Sequence, residues 1–143
     1  MLAALPRSRQ RQRGAGSERV CDNVISVGNF FHPITIVGPT GREITIYALV
    51  DTGATFTSLP ASVLHGIGVR PTRQVRMRLA DGSVHEQEAG GAVMRLDGQQ
   101  EVCPVVFGEE SSPPAIGAVT LEIMLLGVDP VEQRLVPVIG WRV

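Results

Sequence analysis

The sequence contains no lysine, since all thirteen basic residues among its 143 positions are arginines. An enzyme that forms a Schiff base through a lysine amine is therefore excluded. Cysteine is also scarce: only Cys21 and Cys103 occur, and two thiols at unrelated spacing form neither a disulfide framework nor a zinc site. The three histidines, His32, His65 and His85, are scattered. We therefore predict no bound metal and no cofactor.

Aromatic side chains are few and long apolar runs are missing. Aromatic residues make up 4% of the sequence and hydrophobic residues 43%, so a core must be built mainly from Val, Leu, Ile and Ala. No apolar run reaches the roughly 20 residues of a membrane-spanning helix. The short apolar piece at the start precedes its arginines, which is the reverse of the order in a secretory signal. We expect a cytoplasmic protein without a membrane span.

Positive charge is concentrated at the start of the chain, although the whole chain has a net charge of −1. Residues 1–20 contain five arginines and one glutamate and show no hydrophobic periodicity. This composition predicts a disordered basic tail over residues 1–20 and one domain over residues 21–143. A transit peptide or a wrongly assigned start codon would also give such a segment. The net charge predicts no nucleic-acid partner for the domain, although a basic tail could add one.

Plentiful turn residues favour many short strands over long helices, since the chain has 16 glycines and 10 prolines. Residues 33–38 and 42–50 are rich in Ile, Val and Thr, and the Gly-Pro-Thr-Gly segment between them predicts a hairpin. Two more hairpins are predicted, with turns at residues 80–83 and at Asp97-Gly98. Two short strands around a turn near Glu132-Gln133 close the chain.

Helical spacing is limited to two places. One helical turn is predicted after Pro60, and a helix from about Ala118 to Leu126. In that helix Leu121, Met124 and Leu125 would share one face. Strands and helices do not alternate, which disfavours a parallel sheet of the Rossmann type. We predict an all-β fold with one notable helix near its end.

The segment Asp51-Thr52-Gly53 is the sharpest chemical signal. An apolar strand, residues 46–50, runs directly into the carboxylate, and a small residue, Ala54, follows the glycine. A lone Asp-Thr-Gly is a weak signal, because the same residues also form an ordinary Asx turn without chemistry.

Four segments of the sequence together favour the chemical interpretation of this motif. They are LVDTGATFTSLP at residues 49–60, RLADGSVHE at 78–86, PPAIGAVTLE at 113–122 and VDPVEQRLVPV at 128–138. In this order they resemble the retropepsin-like (retroviral-type) aspartic proteases, and most closely the small single-domain bacterial members. The resemblance covers residues 24–138. It implies a closed acid-protease β-barrel with one short C-terminal helix and one lobe per chain.

The resemblance also implies a role for each residue of the motif. Asp51 would be one half of a pair of carboxylates that share a proton and activate water. Thr52 would donate its hydroxyl across a dimer to lock two such loops together. Gly53 would let the backbone approach the carboxylates and offer its N–H to them.

Further residues would bind the substrate or support the loop. Ala54 would form the crowded floor of the site, and the hairpin tip at Ala80, Asp81 and Gly82 would fold over the substrate as a flap. Ile116-Gly117 would pass beneath the aspartate loop and support it. Two simpler interpretations remain open: an ordinary exposed hairpin at residues 80–82, and a mere helix start at residues 116–117.

The sequence carries one Asp-Thr-Gly and no Asp-Ser-Gly, so one chain supplies one catalytic aspartate. Activity would therefore require a two-fold homodimer with the site on its axis. The resulting prediction is an aspartic endopeptidase that cleaves peptides or proteins. The alternative is a non-catalytic homodimer of the same fold that binds peptides or serves as an assembly module.

Overall fold

The computed structural model of the chain describes residues 29–142. The predicted tail and the first residues of the predicted domain lie outside these described residues. Strand β1 (Phe31–Val37) pairs antiparallel with β2 (Glu43–Val50), with Ile34 opposite Ile46. The turn between them contains Gly41 at φ +93°, a conformation that favours glycine. The first predicted hairpin is confirmed.

The chain then leaves β2 through a loop at residues 51–56, called the Asp51 loop below. Strand β3 (Thr57–Pro60) follows, and helix α1 (Ala61–Gly66) begins directly after Pro60. Pro60 has φ −56° and lacks a backbone N–H, so it suits a helix start. The predicted helical turn is confirmed.

A long antiparallel meander forms the middle of the fold: β4 (Arg73–Arg78), β5 (Val84–Leu96) and β6 (Gln99–Gly108). The β5–β6 turn places Asp97 at φ 53° and Gly98 at φ 83°, as a tight hairpin turn requires. Both predicted hairpins are confirmed. The sequence indicated two strands between residues 84 and 96, and the structure corrects this to one strand of thirteen residues. The glycine pair at 90–91 does not end the strand, since Gly90 allows close contact: a Cβ there would lie 2.6 Å from the carbonyl oxygen of Arg70.

The last elements are β7 (Ala115–Ile116), α2 (Ala118–Ile123), β8 (Leu126–Asp129) and β9 (Arg134–Pro137). Helix α2 ends three residues before the predicted boundary at Leu126. Leu125 adopts φ 54° and is 46% exposed, so it does not share the buried face of Leu121 and Met124. The described residues contain two helices of six residues each. The predicted helix near the end of the chain is thus no longer than the predicted helical turn after Pro60.

Seven strands form one sheet in the order β1-β2-β7-β3-β6-β5-β4, and β1 also pairs with β5 through Ile36 and Met94. Strands β8 and β9 pair with each other in a separate two-stranded sheet. The fold is mostly β, as predicted. Within residues 29–142 no helix is long and apolar enough to cross a membrane.

The core between these elements is aliphatic. Side chains such as Ile34, Ile36, Leu59, Leu64 and Met94 are at most 1% exposed. Phe30 and Phe107 are the two aromatic side chains in the core of the described part of the chain. This confirms the expectation drawn from the low aromatic content. The end of β2 contributes to the same core, since Val50 is 2% exposed.

Candidate active site

Asp51 follows the last residue of β2, where that strand lies between two neighbours. The backbone N–H of Val50 donates to the carbonyl oxygen of Phe30 at 2.8 Å, and the N–H of Asp51 donates to that of Ile116 at 3.0 Å. Val50 and Ile116 are 2% and 0% exposed. The backbone of Asp51 is therefore fixed from both sides, while its side chain lies half-buried at the surface of the core.

The Asp51 loop folds back onto the carboxylate. The N–H of Gly53 donates to Oδ1 of Asp51 at 3.0 Å, and the N–H of Ala54 donates to the Asp51 carbonyl oxygen at 3.1 Å. A Cβ on Gly53 would lie 3.2 Å from that same Oδ1, so a side chain there would crowd the carboxylate. The first bond is that of an Asx turn, so the simpler interpretation and the chemical one describe the same local geometry. Thr52 is exposed at the outer side of the loop.

The strand β7 and the start of α2 support the loop. Strand β7 runs parallel to β2, with Ile116 beside Val50. The N–H groups of Ala118 and Val119 donate to the carbonyl oxygens of Ala54 and Thr55 at 2.8 and 3.0 Å. Two of the N–H groups that a helix start leaves free are therefore satisfied by the loop.

Gly117 cannot carry a side chain in this position. A Cβ there would lie between 2.4 and 2.9 Å from three backbone atoms of Phe56. Gly117 is also the residue immediately before α2. Residues 116–117 therefore lead into the helix and pack against the Asp51 loop.

Two buried threonines beneath the loop were not singled out from the sequence. Thr57 and Thr120 are both 0% exposed, and their hydroxyl oxygens lie 2.6 Å apart. The hydroxyl of Thr57 also accepts the N–H of Gly117 at 3.1 Å. The pair joins the exit of the loop to α2. The sequence offered only the two-residue spacing of Thr57 and Leu59, which places both on one face if residues 57–60 form a strand, as they do.

The β4–β5 hairpin turns at the predicted residues. The N–H of Gly82, which has φ +89°, donates to the carbonyl oxygen of Leu79 at 2.9 Å. Oδ1 of Asp81 accepts bonds from the hydroxyl and the N–H of Ser83 at 2.6 and 2.9 Å. These two bonds hold the pKa of Asp81 below the usual value of an aspartate. The carboxylate therefore fixes the turn at the hairpin tip.

A cavity of about 290 Å³, called the groove below, separates the Asp51 loop from the stem of this hairpin. Its lining includes Gly53, Ala54 and Phe56 on the loop side, and Met77 and Leu79 on the hairpin side. The structure thus brings Gly53 and Ala54 together with the hairpin stem. The predicted tip residues 80–82 do not line the groove.

Neither a metal-binding cluster nor a reactive thiol is found in the described part of the chain. In the part of the chain that the structure describes, no group of three or more His, Cys, Asp or Glu side chains could hold a metal ion. Cys103 is 1% exposed, and burial raises the pKa of its thiol. A protonated, enclosed thiol is a poor nucleophile, so Cys103 is not a candidate for chemistry at this loop.

Comparison with known proteins gives a family match and a similar solved structure. A family model described as aspartyl protease matches residues 33–129, which is more than half of the chain and includes the Asp51 loop, the β4–β5 hairpin and β7. Among solved structures, the solution structure of the simian foamy virus (mac) protease is similar. It shows 16% sequence identity, covers 65% of this chain and 92% of that chain, and has a TM-score of 0.47. No curated protein matches the chain in sequence. The predicted resemblance to the aspartic proteases is confirmed by the family match: the chain belongs to the aspartyl protease family.

Proposed function

We propose that the chain is an aspartic endopeptidase that hydrolyses peptide bonds between two Asp51 carboxylates, one from each chain of a homodimer. The observation that carries this proposal is the position of Asp51. Its carboxylate is half-buried, accepts the N–H of Gly53 at 3.0 Å, and belongs to a loop that lines the groove. An Asx turn without chemistry would not need to line a groove.

The chemistry follows from placing two such carboxylates together. Two carboxylates about 3 Å apart cannot both ionise, so they share one proton. The ionised member takes a proton from water, which attacks the peptide carbonyl carbon, and the protonated member gives its proton to the carbonyl oxygen. Collapse of the resulting tetrahedral diol breaks the C–N bond. The leaving nitrogen takes the proton that the first carboxylate accepted from water, and a diol hydroxyl returns a proton to the second carboxylate, which restores the shared proton. The N–H of Gly53 would stabilise the ionised form of Asp51.

The need for a second chain rests on the other aspartates. In residues 29–142 these are Asp81 and Asp97, which lie in turns, and Asp129, which is the last residue of β8. Asp81 binds Ser83, Asp97 lies 3.8 Å from His32, and Oδ1 of Asp129 accepts two backbone N–H groups at 3.1 Å. None of them precedes a Thr-Gly or Ser-Gly pair. We infer that the catalytic partner of Asp51 is the Asp51 of a second copy.

The proposed scaffold is one closed barrel per chain within a domain of residues 21–143. The pairing of β1 with both β2 and β5 supports closure, because it joins β1, β2, β7, β3, β6 and β5 in a ring of neighbouring strands. Such a ring would hold the Asp51 loop rigidly, so that the Asp51 carboxylates of the two chains can lie next to each other.

The groove favours extended peptides as substrates. Strand β4 lies at the edge of the seven-stranded sheet, so its outer backbone groups can pair with an added strand. Phe56, Met77, Leu79 and Val106 contribute apolar side chains to the groove, whose lining also includes Arg76, Arg78 and Gln87. We propose that segments of unfolded proteins with apolar side chains beside the cleaved bond are bound there, with the tip at residues 80–82 closing over them.

The experiment compares the full-length chain with Asp51→Asn and Asp97→Asn on a denatured protein mixture across acidic and neutral pH. Asp51→Asn keeps the shape of the side chain but cannot act as the base, so cleavage should be lost while the melting temperature changes little. Asp97→Asn is the matched control, since asparagine tolerates its φ of 53°, and it should cleave normally.

Cleavage by purified Asp51→Asn would contradict the proposal. If the unsubstituted chain bound peptides without cleaving them, the alternative of a non-catalytic peptide-binding module would replace it.

A further inference from the structure

The groove between the Asp51 loop and the β4–β5 hairpin carries side-chain charge of one sign. Among the described residues that line it, the charged side chains are those of Arg76 and Arg78, both from β4. The other polar side chains of the lining, Thr55, Ser58 and Gln87, are uncharged. A cleft lined by one sign of charge raises the local concentration of ligands of the opposite sign. The groove therefore favours a ligand that carries negative charge.

The two arginines are held differently. Nη1 of Arg78 donates to the carbonyl oxygen of Gly82 at 2.9 Å, so this guanidinium stabilises the hairpin turn. None of the ion pairs within residues 29–142 includes Arg76, and its side chain is exposed. A guanidinium in this position can bind a carboxylate through two parallel N–H groups. Arg76 is therefore the stronger candidate for a contact with a ligand.

The acidic residues of the hairpin lie outside the groove lining. Glu86 is opposite Arg76 in the register of β4 and β5, but no ion pair joins the two in the structure. The carboxylate of Asp81 accepts the hydroxyl of Ser83 at the tip. Neither acidic residue is part of the lining, so the positive charge of the groove is not cancelled within it.

A peptide paired with β4 would meet Arg76 at a defined position. Strand β4 is at the edge of the sheet, and side chains directly opposite each other on paired strands have Cβ atoms about 5 Å apart. An acidic side chain opposite Arg76 is therefore within reach of its guanidinium. Side chains alternate along a strand, so the next position of the peptide would lie on the face of Met77, which is apolar. A substrate with an acidic residue beside an apolar one matches both faces.

We propose that Arg76 is a specificity-determining residue, which selects peptides that carry a glutamate or aspartate next to the apolar residues at the cleaved bond. This inference rests on the proposed function and deepens it, because it names an acidic class of substrate for the same groove. Arg78 adds positive charge to the groove while it holds the hairpin turn.

The test uses a short fluorogenic peptide with an apolar centre and uncharged flanks, in which one glutamate is moved from position to position. The matched peptides have glutamine at the same positions. Assays at about pH 6 keep the glutamate ionised. For the full-length chain, kcat/KM should be about fivefold higher with glutamate than with glutamine at one position or more beside the centre. High salt should reduce this ratio, because Arg76 is exposed.

Two variants of β4 assign the preference to its residue. Arg76→Gln should bring the ratio of the two kcat/KM values close to one, and Arg76→Lys should keep part of it. Arg73→Gln is the matched control and should keep the ratio, since Arg73 is an exposed arginine of the same strand outside the groove lining. The ratio is taken within one variant, so a general loss of activity does not change it.

A ratio near one at every position in the unsubstituted chain, or a ratio that Arg76→Gln leaves unchanged, would overturn the inference and leave the endopeptidase proposal intact.

Binding to Asp51→Asn separates this inference from the proposed function. Fluorescence anisotropy of labelled peptides should show tighter binding of the glutamate peptide to this variant, and adding Arg76→Gln should remove the difference. If the unsubstituted chain cleaved no peptide but showed this difference in binding, the endopeptidase proposal would fail and the role of Arg76 would stand. Equal affinity for the glutamate and glutamine peptides would overturn the role of Arg76.

Discussion

Replacing Thr57 by valine tests how the Asp51 loop is anchored. Valine has nearly the shape of threonine, and both residues favour strands, so the substitution removes a hydroxyl and leaves packing almost unchanged. That hydroxyl accepts the N–H of Gly117 at 3.1 Å and lies 2.6 Å from the hydroxyl of Thr120, and both threonines are 0% exposed. Water therefore cannot replace the lost bonds without a rearrangement.

The expected cost follows from the groups left without partners. A buried polar group that loses its hydrogen bond costs about 1–3 kcal/mol. In Thr57→Val the N–H of Gly117 loses its partner, while the hydroxyl of Thr120 keeps a bond with the thiol of Cys103. The free energy of unfolding should therefore fall by about 1–3 kcal/mol for the N–H and about 1 kcal/mol for the hydroxyl, roughly 2–4 kcal/mol together. In Thr120→Val the hydroxyl of Thr57 keeps the N–H of Gly117, so the fall should be only about 1 kcal/mol.

Equilibrium unfolding in urea, at one fixed protein concentration, measures both changes. The double variant should cost less than the sum of the two single variants, because it leaves no unpaired threonine hydroxyl. The reasoning is refuted if Thr57→Val costs less than about 0.5 kcal/mol, the range of ordinary surface substitutions. It is also refuted if Thr120→Val costs as much as Thr57→Val.

Three further predictions concern Gly117, the tip of the β4–β5 hairpin and the first residues of the chain. Gly117→Ala should destabilise the fold severely, because its Cβ would meet the backbone of Phe56 at 2.4 Å, whereas Gly66→Ala has open space and should not; melting temperatures compare them. The bonds from Ser83 to Asp81 should persist from neutral into mildly acidic pH and be lost only as the pH falls through the lowered pKa of Asp81, as read from the Ser83 amide signal by NMR. In Asp81→Asn that titration should disappear. Removing residues 1–17 should leave the melting temperature and the specific activity unchanged, and a large fall in either would show that this segment is structural.

Local signals predicted the turns and the loop of this fold. Asp97-Gly98 and Asp81-Gly82 mark hairpins because few residues adopt the positive φ angles that such turns need, and the structure has both. The bond from Gly53 to Asp51 within the Asp51 loop is likewise local, since it joins residues two positions apart.

Features that depend on distant contacts were missed. The sequence did not predict that β5 continues through Gly90, because the reason is the backbone of Arg70 from another part of the chain. The early end of α2 arises from the positive φ of Leu125, a residue that usually continues helices. The threonine pair joins positions 63 residues apart, and no periodicity relates them. The pairing of β1 with β5 is equally non-local.

The most direct test of the shared site mixes the unsubstituted chain with Asp51→Asn. The two are combined in varying ratio at constant total concentration, well above that at which the chains separate, and are left to exchange partners. If each site needs Asp51 from both chains, activity should fall as the square of the unsubstituted fraction, so that an equal mixture keeps about one quarter of the starting activity. Activity proportional to the unsubstituted fraction, about one half in the equal mixture, would mean that one chain alone forms the site and would contradict the account.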